Sequence, residues 1–160
     1  MDGQGNVKLD IRPVGWVRNE VKELKQTAWE EVVSKIEIEP EFQDCLEGIE
    51  GYSHIVVLFY FHKLSARERA MKKFHPMDRE DLPIRGSFAT RSQRRPNPIG
   101  VTTVRLLGRE ARVLLVEGLD ALDGTPVLDI KPYTPGLAES DVVTVPEWVQ
   151  KYWAEATAKD

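Results

Sequence analysis

Seven short runs rich in β-branched and aromatic residues crowd into the first 133 positions of this 160-residue chain. That density constrains the fold more than any other feature. VKLDIRPVGWV (7–17) alternates apolar and polar residues over much of its length, and VVSKIEI (32–38) sets Val33, Ile36 and Ile38 among charged residues. Alternation of period two marks strands with one wet face. SHIVVLFYFH (53–62) is too continuously apolar to have a wet face and is expected to be a central strand, buried on both sides. GSFATR (86–91), IGVTTVRLLG (99–108), RVLLVEGLD (112–120) and PVLDIKPY (126–133) complete the set, parted by Gly, Pro and Asp. Strands at this spacing imply an antiparallel barrel or sandwich rather than alternating βα units.

Two helices are expected beside them. Ser65 and Glu68 have capping-box spacing ahead of RERAMKKF, with Lys72 and Lys73 near the C-terminal end that the helix dipole favours. Pro146 suits a first helical turn, and Trp148, Val149, Tyr152 and Trp153 then form an apolar stripe. The stripe is expected to dock on the barrel or on a second subunit; a stacking platform for nucleic-acid bases is the sharper alternative. HPMDREDLPIRG (75–86) reads as a long irregular loop, and a closing lid is one role for such a segment.

At 160 residues, with 41% hydrophobic and 30% charged, the chain fits one soluble domain over 1–160, its core about 7–135 and its C-terminal helix about 146–157. No apolar run approaches the roughly 20 residues of a membrane helix, and MDGQGNVKLD lacks the features of a signal peptide. A single cysteine, Cys45, permits no internal disulfide, so a cytoplasmic setting is expected and Cys45 is read as an inert, partly buried thiol. The net charge of −4 argues against a generic nucleic-acid binder, but residues 62–112 hold 13 Lys and Arg against 5 Asp and Glu, a local +8. A basic middle on an acidic frame points to a local site for a phosphate-bearing or anionic partner, against the alternative of a solvated charged loop.

Within that middle lies RSQRRPNPIGVT (91–102), which bridges two expected strands. Its prolines brace a stiff loop that presents Arg91, Arg94 and Arg95, whose guanidinium forks suit carboxylates and phosphates, while Asn97 can both donate and accept. LDALDGTPVLDIKPY (119–133) adds a second polar cluster: Asp123-Gly124 favours a tight turn, and Asp120, Asp123 and Asp129 offer acceptors for a ribose or an ammonium group. The same residues also read simply as a hairpin turn with a strand-end carboxylate. No metal reading survives, since His54, His62 and His75 are widely spaced without a cysteine partner and HEXXH, CXXC and EF-hand patterns are absent. P-loop, GXGXXG and GXSXG motifs are missing too.

The motifs FATRSQRRPNPIG (88–100), LDGTPVLDIKPY (122–133) and LEGIEGYSHIVVLFYFHK (46–63), in a match running from about Val14 to about Tyr133, closely resemble the TsaA-like, or TrmO, family. The resemblance implies an all-β fold, a small antiparallel β-barrel with peripheral short helices, working as a homodimer. It also implies S-adenosylmethionine as cofactor and, as substrate, a threonylcarbamoyladenosine next to the tRNA anticodon, methylated at its exocyclic amine. Carried over by position, the cofactor contacts fall on His62, Lys63, Arg91, Val101, Leu122, Asp123, Gly124 and Thr125, with Lys25 and Gln26 added from the less similar early chain. Arg94, Arg95 and Asn97 become substrate-contact candidates, and Asp129 or Tyr133 candidate acceptors for the amine proton. Bacterial members commonly carry an additional C-terminal domain where this chain has one helix, which leaves open a same-fold methyltransferase for another RNA or a small molecule, or a non-enzymatic RNA- or adenosine-binding barrel.

Overall fold

Period-two burial is the rule that builds the barrel. In the computed structural model, which describes residues 8–24, 27–134 and 145–157, six strands close on themselves in the order β1-β2-β7-β6-β3-β8. In chain order the strands are β1 (Gly15–Arg18), β2 (Val33–Ile38), β3 (His54–Tyr60), β4 (Lys73–Phe74), β5 (Arg85–Gly86), β6 (Ile99–Glu110), β7 (Val113–Glu117) and β8 (Pro126–Pro132). All barrel neighbours run antiparallel, and the pairing Gly15↔Val127 closes the ring. Closure removes the exposed edges that an open sheet of this size would present.

Alternate residues of each strand point inward. Val17, Ile36, Ile38, Ile55, Val57, Phe59, Val104, Leu114, Val116 and Val127 fill the interior, joined by Leu46, Leu119 and Ala121 from the connections. Gly100 sits opposite Phe59 in the β3–β6 pair, and a Cβ there would come within 2.4 Å of the Phe59 ring. The twelve-residue β6 serves two partners, pairing with β3 through its first half and β7 through its second, and it slips register at Leu106/Gly108. Such a bulge lets a long strand bend around a small barrel.

The described residues fall into two compact units, one of residues 8–24, 27–63 and 98–133, which holds the barrel, and one of residues 64–97, 134 and 145–157. The second unit contains α1 (Ala66–Arg69), the β4–β5 hairpin and α2 (Glu147–Thr157). Here Arg94 makes a two-pronged contact with Asp78, and Arg79 bridges Asp81 and Glu155. No described helix is long and apolar enough to cross a membrane.

Several expectations need correction. β1 begins only at Gly15, with Leu9 and Ile11 left exposed, because Pro13 interrupts the ladder. In β2 the parity is the reverse of the apolar count: Val33 faces out and Ser34 is buried, since Ile36 and Ile38 set the inward face. β3 is central, but its outward residues Val56, Leu58 and Tyr60 are half-buried rather than enclosed, a barrel having only one inside. GSFATR is not a strand; past Gly86 it turns into a 3₁₀ helix, Ser87–Ala89, with Phe88 80% exposed. The capping box at Ser65 and Glu68 forms, yet α1 lasts a single turn, because Lys73 and Phe74 pair in the hairpin and Phe74 is buried. The 75–86 segment is braced rather than irregular: His75 Nδ1 lies 2.6 Å from the Leu82 carbonyl, and Pro76 and Leu82 are buried. Cys45 is exposed, on a 3₁₀ helix whose Phe42 and Leu46 turn inward instead.

Candidate functional site

Antiparallel closure brings the ends of β1 and β3 and the starts of β2, β6 and β8 to one end of the barrel. The polar residues of the connections meet there. The turn before β8 is built by Gly124 in the left-handed region (φ 75°), whose N–H donates to the Val17 carbonyl, while the Asp123 N–H donates to that of Val21. Thus pinned, Asp123 accepts from the Asn19 N–H at 3.1 Å and from Lys22 Nζ at 2.6 Å. The Lys22 ammonium, foremost, and the Asn19 N–H hold the Asp123 carboxyl below its ordinary range, so it is charged at neutral pH.

The neighbouring groups come from β3 and the following residues. Thr125 Oγ1 lies 3.4 Å from His62 Nδ1, and Lys63 Nζ donates to the Lys22 carbonyl at 2.7 Å. Partial burial, aided by the Lys63 charge, pushes the His62 pKa down and keeps its imidazole neutral near pH 7. Val101 opens the same end of β6 with its side chain 45% exposed, and Thr102 Oγ1 binds the Asp120 carboxylate. Leu122 is buried beneath the turn.

The structure therefore brings together His62, Lys63, Leu122, Asp123, Gly124 and Thr125 within the barrel unit. Lys25 and Gln26 lie outside the described residues. Asp129 stands mid-strand opposite Leu58, its carboxylate engaged by the Ile130 N–H and Lys131, whereas Tyr133 lies at the other barrel end, against His54. From Thr125 to Tyr133 the strand spans roughly 26 Å at ~3.3 Å per residue.

In the second unit Arg91 is exposed, Arg94 grips Asp78, and Arg95 donates to the carbonyls of Thr90 and Ser92. Arg95 thus braces its own loop and Arg94 ties that loop to the 75–86 segment, while Asn97 is exposed. Arg91 and Arg94 also line a cleft of about 700 Å³ together with aromatic residues of α2. Among the described residues no cluster of three or more His, Cys, Asp or Glu is arranged to hold a metal.

Asn19 and Lys22 escaped sequence reasoning. The one available signal was the Asn19 position just past a strand, where its Oδ1 caps the Val21 N–H in an Asx turn. Its Nδ2 then ties Ser34 Oγ to the Ala121 carbonyl, joining three connections that no motif links.

Comparison with known proteins places this arrangement. The family model for the tRNA-methyltransferase O N-terminal domain matches residues 22–139. An S-adenosyl-L-methionine-binding protein of Archaeoglobus fulgidus is 41% identical over 129 residues, covering 78% of this chain and 89% of its own. A Pyrococcus abyssi protein named "Probable S-adenosyl-L-methionine-binding protein" is 35% identical over 145 residues, covering 88% of this chain and 76% of its own. The crystal structure of TrmO from Pseudomonas aeruginosa superposes with a TM-score of 0.65 at 36% identity, over 86% of this chain and 62% of that one. The chain thus spans less than two thirds of the length of that TrmO chain.

Fold and motifs together define an antiparallel barrel protein of the TsaA-like class, with a polar turn cluster at one end. Within that class, the chain belongs to the tRNA-methyltransferase O N-terminal domain family.

Proposed function

We propose that this protein is an S-adenosylmethionine-dependent methyltransferase acting on tRNA, and that its substrate is the exocyclic amine of threonylcarbamoyladenosine next to the anticodon. The observation that carries the reading is the convergence of His62, Lys63, Asp123 and Thr125 at one barrel end in a chain of this family.

The donor set fits the cofactor. Its ribose hydroxyls need an acceptor, and each oxygen of the ionised Asp123 carboxylate, taking one donor from the Asn19 N–H or from Lys22, keeps a lone pair for a hydroxyl. Its carboxylate suits the ammonium groups of Lys22 and Lys63, and the exposed Val101 offers an apolar rest for an adenine face. The resemblance adds Arg91 to these contacts. When bound, the cofactor supplies a methyl group already activated by a sulfonium. The protein's task is then to orient the incoming amine, exclude water and take its proton. His62, neutral near pH 7, can accept that proton and does not repel a sulfonium; it is a better acceptor than Asp129, whose oxygens are engaged, or Tyr133. A cytoplasmic homodimer is the assembly this reading takes from the family.

The decisive measurement is mass spectrometry of tRNA nucleosides from a deletion strain. Loss of methylated threonylcarbamoyladenosine, restored by the wild-type gene, is expected; an unchanged nucleoside profile overturns the substrate assignment. Calorimetry with S-adenosylmethionine tests the cofactor site separately. Saturable binding to the wild type and a loss of roughly tenfold or more in Asp123→Ala and Arg91→Ala are expected, since hydrogen bonds to charged groups are worth about 1.5–3 kcal/mol.

A further inference from the structure

The second unit carries a cleft whose aromatic wall the cofactor reading does not use, although Arg91 lines it. Between α2 and the 74–94 segment lies the cleft of about 700 Å³, whose walls include Phe74, Phe88, Trp148, Tyr152 and Trp153. Two of these rings are largely open to solvent, Phe88 at 80% and Trp153 at 55%. The cleft lies within the ~300–1,000 Å³ of typical small-molecule sites, so it has room for a nucleotide.

Three further observations say what kind of occupant suits it. The Arg94 guanidinium stands 5.8 Å over the Phe74 ring, so cation and aromatic face already alternate along the wall. Trp148 Nε1 is buried without a hydrogen-bond partner, the only such side-chain atom among the described residues. Rotation of the indole toward the cleft would let a carbonyl oxygen or ring nitrogen on a base edge satisfy that donor. The described part of the unit, residues 64–97 and 145–157, also holds ten Lys and Arg against six Asp and Glu, a net of +4 in a chain of −4. Open aromatic faces, an orphaned N–H and surplus positive charge match a base on a phosphate backbone. An apolar protein segment would satisfy only the first of these.

Resting on the tRNA reading above for the identity of the nucleic acid, we propose that this cleft stacks an unpaired base of single-stranded RNA. Trp153 and Phe88 supply the stacking faces, and the Trp148 indole N–H reads the base edge. The helix that provides both tryptophans lies beyond residue 139, where the family match stops. The facing wall, with Phe74, Phe88 and Arg94, lies inside the matched residues.

The test is fluorescence anisotropy of a labelled oligoadenylate of about eight nucleotides, within the site sizes usual for single-strand binders. Titrations use the full chain, and calorimetry with S-adenosylmethionine is run on the same preparations. Trp153→Ala and Phe88→Ala are expected to weaken RNA binding roughly 5- to 100-fold each, Trp153→Phe to restore most of it, and an oligomer with abasic sites to bind about as poorly as the alanine variants. Affinity for S-adenosylmethionine stays at the wild-type value in all three. Unchanged RNA affinity in both alanine variants, or equal binding of the abasic oligomer, overturns the stacking site. So does a change in sedimentation with no change in RNA affinity, which would make the cleft a contact between copies of the chain. Absence of cofactor binding in the wild type instead counts against the methyltransferase reading and leaves the RNA titrations to decide the cleft on their own.

Discussion

Two residues show how narrowly local packing is set. Gly100 faces the Phe59 ring at a distance no Cβ can tolerate, and Phe59 is fully buried among neighbours that leave it nowhere to move. Gly100→Ala is therefore expected to lower unfolding free energy by about 1–3 kcal/mol in urea titrations, as overpacking of a tight core does. Asp123 is the second. Its carboxyl is held below the ordinary value of about 3.9, so the stability it contributes is complete above that pH and lost as the pH falls through the depressed value. Wild-type melting temperature should drop as the pH falls below about 4, and Asp123→Asn should flatten that part of the profile. The effect is modest because Lys22 is 63% exposed and the pair is partly screened. His62 also gains a positive charge as the pH falls: its pKa lies below 6.5, and protonation there places a second cation beside Lys63. Cofactor affinity is expected to fall as pH drops below about 6.5 in the wild type, with His62→Gln removing that dependence in calorimetry at several pH values.

At the scale of elements, two departures from the sequence reading meet at one hairpin. The expected helix after Ser65 is cut short where a longer-range pairing takes over its last residues, and the expected 86–91 strand gives way past Gly86 to a 3₁₀ helix. The β4–β5 hairpin claims Lys73 and Phe74, leaving one turn of helix behind the Ser65 cap, and it releases Phe88 into solvent past Gly86. The 75–86 segment between those strands places Met77 and Asp78 at positive φ, a conformation held by the Arg94–Asp78 fork and the buried Leu82. Arg94→Met is expected to change global stability by no more than about 1 kcal/mol, since Asp78 is 68% exposed. It should instead accelerate proteolytic nicking within 76–84 severalfold, because the fork is what opposes local opening. Cleavage at the wild-type rate would mean that Leu82 and His75 suffice.

For the whole molecule, closure of the barrel is what makes a site from scattered residues. Thr125 and His62 stand 63 positions apart and Asn19 and Asp123 stand 104 apart, yet the antiparallel ring sets them at one end while carrying Tyr133 to the other. A ligand that binds only this assembled end stabilises the fold by mass action. At a hundredfold excess over its Kd, S-adenosylmethionine should add about 2.7 kcal/mol, seen as a rise of several degrees in the thermal midpoint. Asp123→Ala, with affinity lowered about tenfold, should lose about half of that rise.

The sequence by itself determined the all-β class, the position of the six strands that form the barrel among the seven it marked, the C-terminal helix and the Asp123-Gly124 turn. Each of those signals is local: alternation of period two, capping chemistry, and a glycine where φ must be positive. The family motifs added the cofactor class. Only the tertiary structure decided that β1 starts after Pro13, that Ser34 rather than Val33 faces in, that Arg94 ties its loop to Asp78 while Arg95 braces it from within, and that Asn19 and Lys22 complete the Asp123 turn. Those facts depend on which strand lies beside which and in what register, and a one-residue change of register reverses every side chain without altering the local pattern at all.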